Sequence, residues 1–245
     1  MKRLILLAAL GVGLATAQPA GFRHHGSFKH MVHSDDLSAK VQLAALEASP
    51  GVWGVGALAG LKGEVIQIDG KLLVSPGTDP QGNVRPAAEP DAAVLWASAK
   101  VAAWTPVVVP TDMDQAQTED FVRAQAKGRQ IDLDQPFAFR ITGSYSHLIW
   151  HVVTGGKPAG AAAHGAQGHG GHGGHANQQA GMKVFRSPQA EGQLVGIYSG
   201  ARLEGVVSHP GERFHIHFVD AALKVSGHVD QYRVKSGSTL WLAQP

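Results

Sequence analysis

The chain has 245 residues, enough for one large domain or for two small ones that share a core. Hydrophobic residues make up 44% and charged residues 16%, a composition that excludes a disordered or fibrous chain. Without Lys2 and Arg3, which lie in a segment that we expect to be removed, the 21 basic residues fall to 19 and equal the acidic ones. A mature chain without net charge gives no electrostatic reason to expect nucleic acid or an anionic membrane as a partner.

The first seventeen residues have the pattern of a signal peptide. A basic start is followed by an apolar run from Leu4 to Leu14, which is too short to span a bilayer, and by the small-residue cleavage site Ala15-Thr16-Ala17. The alternative is a buried N-terminal helix. We expect residues 1–17 to be removed and the mature protein to be periplasmic or secreted. The chain has no cysteine, so its stability must come from a packed core and from any bound metal.

Residues 18–33 are irregular and rich in histidine, and we interpret them as a flexible leader before a domain at 34–245. Ser34 or Asp35 is a candidate cap for a helix that runs to about Ser49. Val65 to Val74 is typical of a hairpin, with Asp69-Gly70 in the tight turn.

The middle of the chain carries three further predicted elements. Val94 to Val109 predicts one or two buried strands, Asp114 to Lys127 a helix, and Phe137 to Val153 a long strand. Residues 154–181 are mostly Gly, Ala, Gln and His, which cannot bury a core, so we predict a flexible loop there. Short β-rich runs separated by Gly, Pro and Ser resume at Met182, which favours an antiparallel sheet in the second half.

Three histidines near the C-terminus form a candidate metal site. His215 and His217 are two residues apart on a predicted strand, so their side chains point to the same face. A turn around Ala221-Ala222 and a return strand can bring His228 opposite the pair. Three neutral imidazoles on one face suit Zn²⁺ with an open coordination position. A surface pair or hydrogen-bonded core histidines are the alternatives.

The sequence around these histidines resembles the metal-binding region of bacterial α-acetolactate decarboxylases, which has a Pro-Gly turn, then His-x-His-Phe, then Gly-His-Val. Three further blocks resemble that family in the same order, over roughly residues 35–235. The blocks are GVWGVGALAGLKGEVIQIDGKLLV, FAFRITGSYSHLIWHV, SPQAEGQLVGIYSG and HPGERFHIHFVDAALKVSGHVDQY.

The resemblance implies an α/β (α+β) fold of two linked subdomains with mixed and antiparallel sheets, and a homodimer. It implies Zn²⁺ bound by His215, His217 and His228, and it places Glu64 and Arg140 on the family's active-site glutamate and arginine. The implied reaction removes CO₂ from 2-acetolactate, or a related 2-hydroxy-3-oxo acid, to give acetoin. The metal then acts as a Lewis acid that stabilises an enediolate.

Several residues also have a structural interpretation. Glu64 is alternatively an exposed residue at the start of a strand, and Arg140 a partner of Asp132 or Asp134 in an ion pair. We interpret His147 and His151 as ordinary, partly buried polar residues. The large aromatic side chains are expected in the core or at a dimer interface; they are Trp53, Trp96, Trp104, Tyr145 and Trp150.

The sequence also differs from the family pattern. Ala57 replaces a threonine, Lys62 replaces the aspartate of Asp-Gly-Glu, and beyond His228 the only acidic residue is Asp230, where the family has a tail glutamate. Three functions are therefore compared: an exported acetolactate decarboxylase-like lyase, a non-catalytic periplasmic metal-binding protein on the same fold, and a zinc hydrolase.

Overall fold

The computed structural model describes residues 21–156 and 181–244. The predicted signal peptide and residues 157–180 of the predicted loop lie outside the described residues. The helices are α1 Phe28–Ser34 and α2 Gln115–Gly128, with short 3₁₀ turns at Leu43–Ala45 and Ala59–Leu61. The strands of the first half are β1 Phe22–His25, β2 Val41–Gln42, β3 Val52–Leu58, β4 Gly63–Ile68, β5 Lys71–Pro76, β6 Arg85–Pro86, β7 Ala92–Lys100 and β8 Trp104–Val108. The later strands are β9 Met113–Asp114, β10 Phe137–Val153, β11 Met182–Ser187, β12 Ala190–Tyr198, β13 Phe214–Asp220, β14 Ser226–Val234 and β15 Thr239–Ala243.

These strands form two sheets. The first has the order β1-β7-β3-β4-β5-β6, with β2 also paired to β7. The second has the order β8-β15-β10-β12-β13-β14-β9, with β11 also paired to β10. All pairings in the described ranges are antiparallel, whereas a mixed sheet was also expected. The predicted α+β class is confirmed.

The long strand β10 closes the second sheet on itself. Its first half, Phe137 to Tyr145, pairs with β12, and its second half pairs with β14 as far as His151. Two register shifts, between Tyr145 and His147 and between Ile149 and Trp150, interrupt the pairing with β14. Such irregularities bend a strand and let it turn from one neighbour to the other. The closed part encloses the largest apolar cluster, which includes Phe139, Ile141 and Trp150.

A second apolar cluster joins the two sheets. Trp53, Val55 and Ile66 of the first sheet pack in it with Val195 and Ile197 of β12. Side chains alternate along each strand, so the face of the second sheet that meets the first carries the odd-numbered residues of β12 and β13. His215 and His217 therefore point into the space between the sheets.

Most predicted elements are confirmed. The hairpin is β4 and β5, and both Asp69 and Gly70 have positive φ (49° and 85°), as a tight two-residue turn requires. The run Val94 to Val109 forms two strands, β7 and β8, in different sheets; β7 is buried as predicted, whereas β8 is partly exposed. The predicted strand Phe137 to Val153 is β10. The predicted helix from Asp114 is α2, with Asp114 in a capping box with Gln117.

The helix predicted to run from Ser34 or Asp35 to about Ser49 is wrong. Ser34 is the last residue of α1 and Asp35 has left-handed backbone angles, which end the helix. Val41 and Gln42 instead pair with β7, and Leu43 is buried in the core. Helix propensity is a weak preference, and strand pairing with burial of an apolar side chain overrides it here.

The flexible leader predicted at 18–33 also differs from the structure over its described residues. Phe22 to His25 form the edge strand β1, and α1 follows with Ser27 as its N-cap. Phe22 is only 1% exposed and packs between the sheets. The burial of one large aromatic side chain offsets the entropy cost of ordering a short polar segment. None of the helices in the described ranges is long and apolar enough to cross a membrane.

Replacement of Phe22 tests this correction. We expect Phe22→Ala to lower the free energy of unfolding by about 3–5 kcal/mol, because it empties a buried aromatic position. The neighbouring Arg23 is exposed, so Arg23→Ala is the matched control and should change it by less than about 0.5 kcal/mol. Urea denaturation of the three proteins measures both values. Equal stability of Phe22→Ala and the wild type would show that the segment is not docked.

Candidate metal centre

The three predicted histidines lie on two neighbouring strands. His217 on β13 and His228 on β14 are direct cross-strand partners, and His215 precedes His217 on the same face. The turn predicted around Ala221-Ala222 connects the two strands, and the Asp220 carboxylate accepts hydrogen bonds from backbone N–H groups within it. His215 and His217 are 3% and 0% exposed.

Gly227 allows β14 to approach β10 closely at this point. A Cβ atom at residue 227 would lie 2.3 Å from the carbonyl oxygen of His151 and 2.6 Å from the Trp150 ring. Any side chain there would push the two strands apart. The glycine before His228 is therefore required by the closure of the second sheet, which holds His228 in place.

The spacing of the three side chains fits one metal ion. The Nε2 atoms of His215 and His217 are 3.2 Å apart, and one nitrogen from each of the three rings lies within 4.8 Å of the others. Two nitrogens bound to one tetrahedral zinc ion at about 2.0–2.1 Å would be about 3.3 Å apart. The carbonyl oxygen of Val207 accepts a hydrogen bond from His215 Nδ1 at 2.9 Å, which leaves Nε2 of that ring free to bind a metal.

Burial keeps the three imidazoles uncharged. Burial, together with the neighbouring histidines His209 and His151, lowers the pKa of His215 to about 3, although the hydrogen bond to Val207 opposes the shift. Burial likewise lowers the pKa values of His217 and His228 well below the ordinary value, and the other rings of the cluster add to the shift. Neutral imidazole is the form that binds metal ions. The donor set therefore suits a divalent metal ion.

Glu64 lies beside the histidines, on the other sheet. It is the second residue of β4, and its Oε2 is 3.7 Å from Nε2 of His217. The backbone N–H of Val153 donates a hydrogen bond to its Oε1 at 3.3 Å. Glu64 is only 3% exposed, so the alternative of an exposed residue at a strand start is wrong. Burial raises its pKa to about 8, although His151 and the Val153 hydrogen bond oppose the shift.

Two further side chains adjoin the histidines. His151 on β10 is the cross-strand partner of His228, with ring centroids 5.0 Å apart, and its Nδ1 is 2.8 Å from an Asp230 carboxylate oxygen. Burial alone would lower the pKa of His151, but the hydrogen bond and charge of Asp230 raise it overall. The sequence interpretation of His151 as an ordinary polar residue missed this proximity. Its register with His228 depends on the two irregularities in β10, which the sequence pattern does not reveal.

The N-terminal segment covers one side of the site. The Phe28 ring contacts His215 edge-on at 5.5 Å between centroids, and it lies 4.2 Å from the ring of His209. The backbone N–H of Phe28 donates to the carbonyl oxygen of Val206. Phe28 and His209 were not predicted as site residues, because Phe28 fell in the expected leader.

Arg140 does not contact the histidines. Val195 lies between it and His217 in one cross-strand row, so the two backbones are about 10 Å apart. Its side chain lies toward β15, and its guanidinium carbon is 4.7–5.3 Å from the ring centres of three tryptophans, Trp241, Trp53 and Trp104.

The surroundings of Arg140 indicate a structural contact. Its buried Nε has no hydrogen-bond partner, and no ion pair with Asp132 or Asp134 is found in the described ranges. The catalytic role of Arg140 stays a prediction without a contact that supports it.

The comparisons with known proteins agree with this geometry. The sequence profile of the family described as Alpha-acetolactate decarboxylase matches residues 27–242. The chain belongs to the α-acetolactate decarboxylase family. A search among curated proteins returned no match.

Solved structures of this family share the fold. The α-acetolactate decarboxylase of Bacillus subtilis strain 168 matches with a TM-score of 0.68 and 16% identity, over 91% of this chain and 85% of that chain. The acetolactate decarboxylase of Bacillus subtilis subspecies spizizenii matches with a TM-score of 0.70 and 16% identity, over 91% and 86%. A Staphylococcus aureus protein of unknown function similar to α-acetolactate decarboxylase matches with a TM-score of 0.64 and 20% identity, over 91% and 84%.

The tryptophan contacts of Arg140 predict an effect on stability. We expect Arg140→Ala to lower the free energy of unfolding by about 2–4 kcal/mol, because a desolvated cation–π contact contributes up to about 2 kcal/mol and the aliphatic stem also packs. Arg186 is exposed, and Arg186→Ala should leave stability unchanged. Denaturant titration of both variants gives the comparison. An Arg140→Ala protein as stable as the wild type would exclude a structural role for the tryptophan contacts.

Proposed function

We propose that this protein is a zinc-dependent lyase that decarboxylates 2-acetolactate, or a related 2-hydroxy-3-oxo acid, to acetoin and CO₂. The observation that carries the proposal is the placement of the buried Glu64 carboxyl group beside the three clustered histidines. Family membership supports the reaction class. The metal identity and the individual steps below are our own inference.

His215, His217 and His228 would hold the ion. When bound, the metal supplies Lewis-acid stabilisation for the negative charge that the loss of CO₂ leaves on the substrate oxygens. Because the three ligands are uncharged, the site keeps the full charge of a divalent ion, which favours an anionic substrate. The hydrogen bond from His215 to Val207 fixes which nitrogen of that ring faces the ion.

Glu64 is suited to deliver the proton that the reaction consumes. Decarboxylation breaks the bond to the carboxylate carbon and leaves an electron pair on the substrate, which takes up a proton at that carbon to give acetoin. Burial raises the pKa of Glu64 to about 8, which favours the protonated carboxyl group that this step needs. The hydrogen bond from Val153 orients the other carboxylate oxygen, and the distance of 3.7 Å to His217 keeps the proton next to the metal ligands.

Apolar residues exclude water from the side of the site that faces the N-terminal segment. Ala57 is the cross-strand partner of Glu64 and packs in a cluster with Met31 and Leu95, against which Phe28 also lies. A methyl group therefore lies next to Glu64 where the family has a hydroxyl. The dry surroundings maintain the raised pKa of Glu64 and strengthen electrostatic interactions at the site.

We also propose that the protein acts after export, outside the cytoplasm, as a homodimer. The signal-peptide pattern at residues 1–17 supports export, and the resemblance to the family supports the dimer. Size-exclusion chromatography with light scattering on the mature protein tests the oligomeric state.

The metal site predicts a defined zinc content. The mature protein should carry about one tightly bound Zn²⁺ per chain, and His217→Ala should release it and lower the melting temperature, because metal binding contributes to folding free energy. The measurement is element analysis after dialysis against a weak chelator. It is best made in a background where His164, His169, His172 and His175 are replaced by Asn, since these could bind extra ions.

His147 supplies the control for this experiment. It lies exposed on the same strand as His151 and hydrogen-bonds Gln231, so His147→Ala should keep the zinc and the melting temperature. If the protein with the four Asn replacements holds no stoichiometric metal, the proposed zinc site is contradicted.

The role of Glu64 predicts a loss of turnover without loss of metal. Glu64→Gln keeps the size of the side chain and an acceptor for the Val153 N–H, but it has no carboxyl proton to donate. We expect turnover of 2-acetolactate to fall by about 10²–10⁴-fold with the zinc content unchanged. Glu191→Gln, an exposed residue on β12, is the matched control and should keep full activity.

Acetoin formation is measured against the spontaneous rate and a metal-stripped sample. A wild-type protein that holds zinc and forms no acetoin above the spontaneous rate would contradict the enzyme proposal and leave a metal-binding protein.

A further inference from the structure

The His151–Asp230 pair has no part in the chemistry proposed for Glu64 and the three histidines. The two residues face each other across β10 and β14, where His151 pairs directly with His228. The side chain of His151 is 12% exposed and that of Asp230 is 21% exposed. The pair therefore lies between the buried histidines and solvent.

The hydrogen bond to Asp230 defines the tautomer of His151. An ionised carboxylate can only accept hydrogen bonds, so the hydrogen of the imidazole is on Nδ1 at the 2.8 Å contact. In the neutral ring, the lone pair then lies on Nε2, at the opposite edge. A ring fixed in this way presents one acceptor atom in a defined direction.

The position of His151 makes it a neighbour of the metal ligands and not one of them. Its ring lies 5.0 Å from that of His228, at a tilt of 42°. The group of nitrogens that lie within 4.8 Å of one another contains His215, His217 and His228. A substrate bound at the metal centre would thus meet the ring of His151 on the His228 side.

We propose that His151, oriented by Asp230, accepts a hydrogen bond from the 2-hydroxyl group of the substrate through Nε2 and so selects 2-hydroxy-3-oxo acids. This inference rests on the proposed function, which brings a substrate of that class to the histidines. Such a substrate offers a carboxylate, a carbonyl and a hydroxyl, and only the hydroxyl can donate a hydrogen. An acceptor nitrogen therefore distinguishes acids that have the hydroxyl from acids that lack it.

Two unreactive probes test this selection without turnover. 2,3-Dihydroxy-2-methylbutanoate has the 2-hydroxyl but no carbonyl to accept the electron pair, and 3-hydroxy-2-methylbutanoate lacks the 2-hydroxyl. We expect zinc-loaded wild-type protein to bind the first about tenfold more tightly, the preference that one hydrogen bond supports. Isothermal titration calorimetry at pH 8 measures both dissociation constants.

Three variants assign the preference to His151. His151→Phe keeps a ring beside His228 without an acceptor, and it should weaken binding of the dihydroxy probe alone by about tenfold. Asp230→Asn places an amide donor opposite Nδ1, which moves the ring hydrogen to Nε2, and it should abolish the preference in the same way. His147→Phe removes a histidine that bonds Gln231 on the same two strands, and it should keep wild-type discrimination. Zinc content and melting temperature are measured for each variant.

NMR spectroscopy gives a second measurement, which locates the hydrogen on the His151 ring. Long-range ¹H–¹⁵N correlation spectra of zinc-loaded wild type should show His151 with hydrogen on Nδ1 and a bare Nε2, and Asp230→Asn should reverse the pattern. A spectrum with hydrogen on both nitrogens of the wild type overturns the assignment. Loss of zinc from His151→Phe would make His151 a ligand and overturn it as well.

The calorimetric result separates this inference from the proposed function. Wild-type discrimination that survives in His151→Phe rejects the role of His151 and leaves the decarboxylase proposal intact. A zinc-loaded wild type that binds neither probe and forms no acetoin rejects both.

Discussion

The cross-strand pairing of His217 with His228 is the constraint on which the candidate site depends. It places two imidazoles side by side on one face of the second sheet, and His215 joins them because strand side chains alternate. The close approach of β14 to β10 holds this pair in register, and Gly227 is the residue that permits it. If the two strands were one residue out of register, His228 would point to the opposite face.

The first sheet completes the site by covering that face. Its apolar side chains pack against β12 and β13 and remove water from the histidines, and its strand β4 brings Glu64 to His217. Burial has the same effect on both kinds of group, because it disfavours their charged forms. It lowers the pKa of His215 and raises the pKa of Glu64. One physical cause thus favours uncharged imidazoles and a protonated carboxyl group next to each other, the forms that the proposed metal binding and proton donation require.

Helix α1 and the bent strand β10 border this centre with different kinds of side chain. Phe28 of α1 supplies an apolar wall against His215, whereas His151 and Asp230 supply a polar side near His228. The Arg140 side chain lies toward β15, away from the histidines, and it contacts Trp53 of the first sheet and Trp241 of the second. The site is therefore built by contacts between segments that are distant in sequence.

The sequence by itself determined the elements with strong local signals and the identity of the three histidines. The Asp69-Gly70 turn, the cap at Asp114 and the alternation in His215-Ile216-His217 each depend on neighbouring residues, so a local pattern is sufficient to predict them. Tertiary structure alone decided the rest. How the two sheets pack and where β10 bends decide four features. Phe22 to Ser34 are ordered, Glu64 is buried, His151 lies close to His228, and Arg140 lies away from the histidines. Burial and cross-strand register are properties of residues brought together from distant positions, and no local pattern encodes them.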